Sequence, residues 1–331
     1  MKEYRGNLKD QNGAALIITI IIVSILTFLI IDFSYSVRVN IRKSANLRDE
    51  TKAYWLAKGG INQALFLLKS SIPKDPYHHL DQIWAKPFRI ETEQGSVDVS
   101  IVDENSKINL NMIVTPSRSG KNIVYIPKFE RGFLLCGVSV EHIPVIIDWI
   151  DSNDIPEHSG AENSDYMQLV PPYRCKNNFL DSLYELVLLK GFSIDDIVKL
   201  QNLFTVYPYK HGKITININT VQDPRIFQII SAGREYEIDS YLADSIIRNR
   251  KEFGPFMRKE EIKRVDEARM SKIYPGIFSI IDVKSYFFKI SSSAIISYEK
   301  ENIHSVRLTL TALVEIDEKG KVIIHRIQRG G

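Results

Sequence analysis

Cysteine is scarce in this sequence: Cys136 and Cys175 are the two present in 331 residues. That excludes a dense disulfide framework and any four-cysteine zinc site, and leaves open one disulfide in an oxidising compartment or two free thiols. An excess of one charge is also missing. Lys and Arg number 43 against 40 Asp and Glu, a formal net charge of +3, so no bulk attraction draws the chain to nucleic acid. No glycine-rich phosphate loop, His-x-x-x-His pair or Gly-x-Ser-x-Gly elbow occurs, which removes common routes to nucleotide, zinc-hydrolase and serine-hydrolase chemistry. Array repeats and low-complexity tracts are absent as well. What remains is an ordinary globular composition, 44% hydrophobic and 25% charged, long enough for one large domain or two ordinary ones beyond any anchor.

One long uncharged run breaks that ordinary pattern. Ala14 to Ile31 gives 18 consecutive residues without a charge, rich in Ile and Leu and softened by Thr19, Ser24 and Thr27. A helix needs about 20 such residues to cross a hydrocarbon core of about 30 Å, and a buried soluble helix rarely carries apolar residues all round. A secretory signal would show a small-x-small cleavage site after the run; here Asp32 to Arg38 follows and helix-compatible sequence continues. Val39, Ala45, Ala53, Leu56, Ile61, Ala64, Leu65 and Leu68 recur at roughly helical spacing, and no proline intervenes before Pro73. The spacing predicts one helix from about Ala14 to Leu68, its first third in lipid and the rest amphipathic, with Gly59-Gly60 as a point where it could kink. Basic residues flank both ends of the apolar run, Lys2, Arg5 and Lys9 before it and Arg38, Arg42, Lys43, Arg48 and Lys52 after it, so charge alone does not fix the orientation.

The short basic leader ending in Gly13, directly before the apolar run, resembles the leaders of type IV prepilin-like proteins. That resemblance implies cleavage on the cytoplasmic side between Gly13 and Ala14, a methylated Ala14 amino terminus and a retained helix. The fifth mature position, where pilins usually carry Glu, is Ile18 here. A run without that carboxylate also avoids an expensive charge in the membrane.

From Lys86 the pattern changes to period two. Phe88 to Thr92 and Val97 to Val102 read as a hairpin, with a short strand at Ile108 to Leu110. Near the carboxyl end Val306, Leu308, Leu310, Ala312, Val314 and Ile316 alternate strictly, "DEKG" makes a turn, and "KVIIHRIQ" returns; "YFFKISSSAII" makes a third strand upstream. Strands at both ends with helices between predict an α+β fold whose antiparallel sheet, residues 71–113 and 282–331, is completed across a helical insertion over 114–281. Within the insertion, Ile143, Ile146, Ile147 and Ile150 form one helix face. Asp181 or Ser182 caps a helix stopping at Gly191, Ser193 caps the next, Pro224 opens another, and a last one ends before Gly254-Pro255.

Between positions 148 and 165 lie Asp148, Asp151, Asp154, Glu157, Glu162 and Asp165, with no helix or strand pattern after Ile150. Clustered hard oxygen ligands in a loop suit Ca²⁺, which takes six to eight oxygens in flexible geometry; a solvated acidic surface loop reads equally well from composition. The EF-hand spacing is absent, and His158 is the single imidazole nearby.

The run "DWIDSNDIPEHSGAE…PPYR" resembles the Trp, paired-Asp, Pro, Gly-Ala-Glu and Pro-Pro-Tyr landmarks of the K-type minor pseudopilin of type II secretion (general secretion pathway protein K). "INLN" at 108–111, "ELVLLKG" at 185–191 and "ININT" at 216–220 follow that family's order, and a missing fifth-position Glu is characteristic of it. With the leader, the resemblance spans nearly the whole chain. It implies a pilin-like long helix packed on an antiparallel sheet with a large inserted α-helical domain that binds calcium. Asp151, Asp154 and Glu162 occupy the matching ligand positions, Asn163 stands where the family often has Asp, and Asp165 is a further candidate. The family role is a non-catalytic component at the pseudopilus tip, acting in filament initiation and protein export across the outer membrane. It would sit in the bacterial inner membrane with its carboxyl-terminal body in the periplasm. The implied partners are the I-type and J-type minor pseudopilins, the prepilin peptidase and the inner-membrane secretion platform.

Two rival readings come from the residues. A metal-hydrolase site would recruit His142 and His158 to the acidic loop, yet no catalytic pattern accompanies them. A membrane-tethered DNA-binding or DNA-uptake factor would use the helix-hairpin-helix-like segment around Gly254-Pro255, with Arg248, Arg250, Lys251, Arg258 and Lys259 on phosphates. Against it, Glu252, Glu260 and Glu261 dilute the charge.

Overall fold

The computed structural model describes residues 8–208, 215–296 and 306–330; most of the expected leader, residues 1–7, lies outside them. A single helix, α1 (Leu8–Ser71), runs unbroken through Gly59-Gly60 for 64 residues. Its apolar window has a mean hydropathy of 3.1 with no part buried, which fits a single-pass membrane anchor. The hydroxyls of Thr19, Ser24 and Thr27 each donate to the carbonyl four residues back at 2.8 Å. The polar atoms of that stretch are thereby satisfied within the helix, as a hydrocarbon environment demands.

The remaining elements follow in order: β1 (Phe88–Thr92), β2 (Gly95–Asp103), β3 (Ile108–Asn109), α2 (Ile126–Cys136), α3 (His142–Ile150), α4 (Asn163–Tyr166), α5 (Ile194–Leu200) and β4 (Phe204–Thr205). Then come β5 (Ile216–Asn217), α6 (Arg225–Ser231), α7 (Ser240–Phe253), α8 (Glu267–Ile277), β6 (Ile281–Asp282), β7 (Phe287–Ile296), β8 (Val306–Ile316) and β9 (Val322–Gly330). A five-stranded antiparallel sheet has the order β1-β2-β7-β8-β9. Its central neighbours β2 and β7 are consecutive in space and separated in sequence by the whole insertion. This is the expected α+β architecture.

Two hydrophobic cores form. In the first, Ala53, Ala57, Ile61, Ala64, Leu68 and Ile72 recur every three or four residues along α1 and meet Val97, Val99, Ile290, Ala294, Leu310, Ala312 and Val314 of the sheet. The stripe has the helical period and the strands the twofold one, so each element buries one side. The second core belongs to the insertion and extends from Ile108 to Val283, several residues beyond the 114–281 limits that pattern alone suggested. Ser193 and Asp196 form a capping box at α5, Asp239 caps α7 through Leu242 N, and Gly137 ends α2 at φ 68°.

One expected helix differs. After Ser182, whose hydroxyl accepts from Tyr184 N, the chain makes a 3₁₀ helix over Leu183–Leu188. Leu189 N then closes the turn on Leu186 O, and Glu185 accepts from Trp149 Nε1 at 2.9 Å.

The insertion leaves the sheet at Asp103 and returns at Phe287, beside the carboxyl end of α1 and so away from the membrane end. A buried polar network seals this junction. The Asp103 carboxylate accepts from the hydroxyls of Thr220 and Ser285 and from Asn105 N. Ser285 N donates to His78 Nδ1, which places the ring proton on Nε2, facing Ile72 O at 3.1 Å. Full burial pushes Asp103 up to about 7, because removing a carboxylate from water disfavours its charged form more than three hydrogen bonds restore.

Candidate metal centre

The acidic loop is held by aromatic rings that the sequence motif supplies. Trp149 of α3 meets Tyr166 edge-on at 5.2 Å between centroids, and Tyr166 stacks on Tyr173 at 5.3 Å. The Tyr173 hydroxyl donates to Leu188 O. These contacts fix both ends of the segment between α3 and the Pro-Pro-Tyr run.

Asp148 lies inside α3 and is fully buried. Its carboxylate accepts from Glu157 N at 3.0 Å. The loop crosses so tightly that a Cβ on Gly160 would lie 1.8 Å from Asp148 Oδ2. Asp151 follows as the carboxyl cap of α3, is 2% exposed, and accepts from Asn153 N and Nδ2. Asp154 is exposed and accepts from Asn163 Nδ2 at 2.8 Å and Asn177 Nδ2 at 3.3 Å. Glu162 is the N-cap of α4 and 2% exposed; its carboxylate faces the backbone N–H groups of the first turn in a capping box with Asp165, without a well-aligned hydrogen bond to either oxygen.

The electrostatics register the crowding. Burial pushes Glu162 up to about 7, and the charges of Asp148, Asp151 and Asp154 add to it. Burial likewise pushes Asp148 up to about 6 and raises Asp151. A buried carboxylate with only weak backbone contacts, on which the charges of three further acids act, is a group that a divalent cation would stabilise. The donors are hard oxygens, which suits Ca²⁺. Among the described residues, however, no three His, Cys, Asp or Glu side chains converge on one point. A bound ion would therefore need the loop to draw in and amide or carbonyl oxygens to complete the shell.

The sequence candidates separate here. Asp151, Asp154 and Glu162 lie near enough for the charges of the two aspartates to act on Glu162, but each aspartate carboxylate is engaged by asparagine amides. Asp165 turns away: its Oδ1 takes Lys190 Nζ at 3.0 Å and its Oδ2 accepts from Glu162 N. The Lys190 bond holds its carboxyl below the usual range. Glu157 pairs with Lys121 at 2.7 Å. Asp148 was counted among the acids without being singled out; its place one turn before Asp151, on the face packed under the loop, was the available signal. Cys136 and Cys175 are both free thiols.

Two cations of the basic hairpin are used internally. Arg250 donates to Ile218 O and Val221 O, and Lys259 donates to Phe278 O while lying 3.5 Å over the Phe278 ring. Arg258 lies 3.9 Å from Glu261. The His142 ring stacks on Phe192, away from the acidic loop.

A long helix whose apolar start fits a membrane anchor, laid on an antiparallel sheet with a second helical body inserted between two neighbouring strands, gives a pilin-like fold with an accessory domain. Comparison with known proteins is specific about which. Residues 106–209 match the family described as type II secretion system (T2SS), protein K. The chain is 27% identical to type II secretion system protein K of Pseudomonas aeruginosa over 77% of each chain. It is 25% identical to that of Aeromonas hydrophila over 90% of this chain and 93% of the relative. In structure it resembles a chain of the GspK-GspI-GspJ complex from enterotoxigenic Escherichia coli, with a TM-score of 0.70, 19% identity, and coverage of 87% of this chain and 99% of that one. The resemblance to the K-type component of type II secretion, read first from sequence motifs, is shown.

Proposed function

We propose that this protein is the minor pseudopilin at the tip of a type II secretion pseudopilus, acting in filament initiation and in protein export across the outer membrane without catalysing a reaction. The observation that carries the reading is the position of the insertion. It projects from the sheet end beside the carboxyl terminus of α1, where a following subunit of a helical filament would otherwise stack. A subunit so built suits the end of a filament, and Ile18 in place of the usual acid agrees, since a terminal subunit has no neighbour to engage above it.

On this reading Ala14–Ile31 anchors the protein in the inner membrane and later packs against the helices of I-type and J-type partners, its small and hydroxylated residues allowing close approach. The body stands in the periplasm. A prepilin peptidase cuts between Gly13 and Ala14, and the secretion platform lifts the processed chain. Calcium, held by Asp151, Asp154 and Glu162 with Asp148 beneath them, would supply a structural positive charge to the insertion. Co-expression with the I-type and J-type pseudopilins of the same organism tests the core of the proposal. A ternary complex that survives gel filtration, and loss of exported protein from the medium when the chain is deleted, are the expected results. Normal export in the deletion strain would overturn it.

A further inference from the structure

We infer that the cleft between the outer face of the sheet and the overhanging insertion binds an acidic peptide segment of a partner protein. The cleft has a volume of about 1030 Å³, at the upper end of the roughly 300–1,000 Å³ of small-ligand sites and far more than one inorganic anion fills. One wall is the sheet face opposite α1, carrying the hydroxyls of Ser291 and Thr311; the other is the insertion, with Gln201 and Tyr184.

The floor is charged and incompletely paired. Glu104 is 3% exposed, and one oxygen, Oε2, accepts from the Thr205 hydroxyl. The other, Oε1, is buried without a hydrogen bond. Lys107 Nζ stands 3.7 Å from Oε1 and Lys289 Nζ 4.0 Å from it, both beyond hydrogen-bond reach. Two ammonium groups thus share one carboxylate, and burial lowers the Lys107 pKa, only partly opposed by Glu104. Among the described residues, Glu104 is the one ion-pair partner of both ammonium groups. A carboxylate entering from the cleft would supply both charge and acceptor, and a peptide carrying it would lie along the hydroxyls and amides of the walls. Low-dielectric surroundings make such a charge-assisted contact stronger than the same pair at a surface.

This inference does not depend on the secretion role. The test uses the full chain in detergent and a fluorescein-labelled peptide of alternating Gly and Glu, with its Gln counterpart and inorganic phosphate as further probes. Fluorescence anisotropy should show the Glu peptide binding at least about tenfold more tightly than the Gln peptide, with affinity falling as salt rises. Lys289→Ala should weaken it by at least about tenfold, roughly 1.4 kcal/mol, while Lys319→Ala, in the exposed turn before β9, leaves it unchanged. Lys289 is 39% exposed and Lys107 stays beside Glu104, so the variant should remain folded, its melting temperature being measured alongside as a control. Equal binding of both peptides, equal effects of the two lysine variants, or displacement by an equal concentration of phosphate would each overturn the inference, as would no binding at all.

Discussion

Gly60 of the long helix lies so close to Ser292 of the central strand that a methyl group at position 60 would sit 2.3 Å from the serine Oγ and 2.9 Å from side-chain carbons of Val97 and Val99. Its neighbour Gly59 is exposed, with nothing within 4 Å of such a methyl. The two glycines therefore answer oppositely to one substitution. Gly60→Ala should cost about 1–3 kcal/mol as an overpacked contact, whereas Gly59→Ala should gain roughly 0.5–1 kcal/mol from helix propensity. Denaturant midpoints of the two variants measure the contrast, and equal shifts would mean that α1 does not lie on the sheet as described.

The pair also marks what sequence reading can reach. The Gly59-Gly60 step read as a possible kink because a lone chain shows its local weakness and not the strand that will press on it. The β8–β9 hairpin was legible because Val306 to Ala312 alternates and "DEKG" favours a turn; the register shift at Leu313/Val314, where three apolar residues follow one another, was not. In the two-residue parallel pairs, Ile108–Asn109 with Phe204–Thr205 and Ile216–Asn217 with Ile281–Asp282, the first strand of each pair was legible, while its partner, some 65 to 95 positions away, was not. In the acidic loop, residue type announced the oxygen chemistry. Which acids face inward was decided elsewhere, by Lys190 capturing Asp165 and by α3 carrying Asp148 under the loop.

The leader gives a prediction about processing. Gly13 sits where nothing lies within 4 Å of a Cβ, so a larger side chain there leaves the fold undisturbed and tests the peptidase alone. Intact mass of protein from its native membrane should correspond to a chain beginning at methylated Ala14. Gly13→Leu should accumulate the precursor with an unchanged melting temperature. A mature protein starting at Met1, or one cut after Ser34 or Ser36, would contradict the prepilin-like reading.

Asp103 predicts a pH dependence with a definite sign. Its folded pKa, about 7, exceeds the unfolded value of 3.8, so the folded state holds the proton more tightly. The stabilisation tied to that proton is complete below about pH 4, fades as pH rises toward 7, and is lost above. Asp103→Asn cannot titrate. Measured in chelator, the wild type should lose stability relative to this variant between pH 5 and pH 8. A difference that stays flat over this range would show that the junction carboxylate is charged throughout.

Calcium should act most strongly through Glu162, the buried carboxylate whose proton affinity the neighbouring acids raise. With chelator at neutral to alkaline pH, Glu162 carries a buried charge beside Asp148, Asp151 and Asp154, a repulsion that lowers stability. Binding to the native state alone offsets it by mass action, about 2.7 kcal/mol when free calcium exceeds the dissociation constant a hundredfold. The melting temperature of the detergent-solubilised chain should therefore rise with Ca²⁺ more than with Mg²⁺, which tolerates irregular oxygen shells poorly. Glu162→Gln removes the repulsion and a ligand together, so it should melt above the wild type in chelator at pH 8 and gain little from calcium. Asp151→Asn should likewise blunt the calcium response. Asp165→Asn should keep it, because that carboxylate is engaged by Lys190, outside the cluster. Identical melting of the wild type in chelator and in millimolar calcium would reduce the loop to a solvated acidic surface, and a calcium response lost in Asp165→Asn would restore Asp165 to the ligand set.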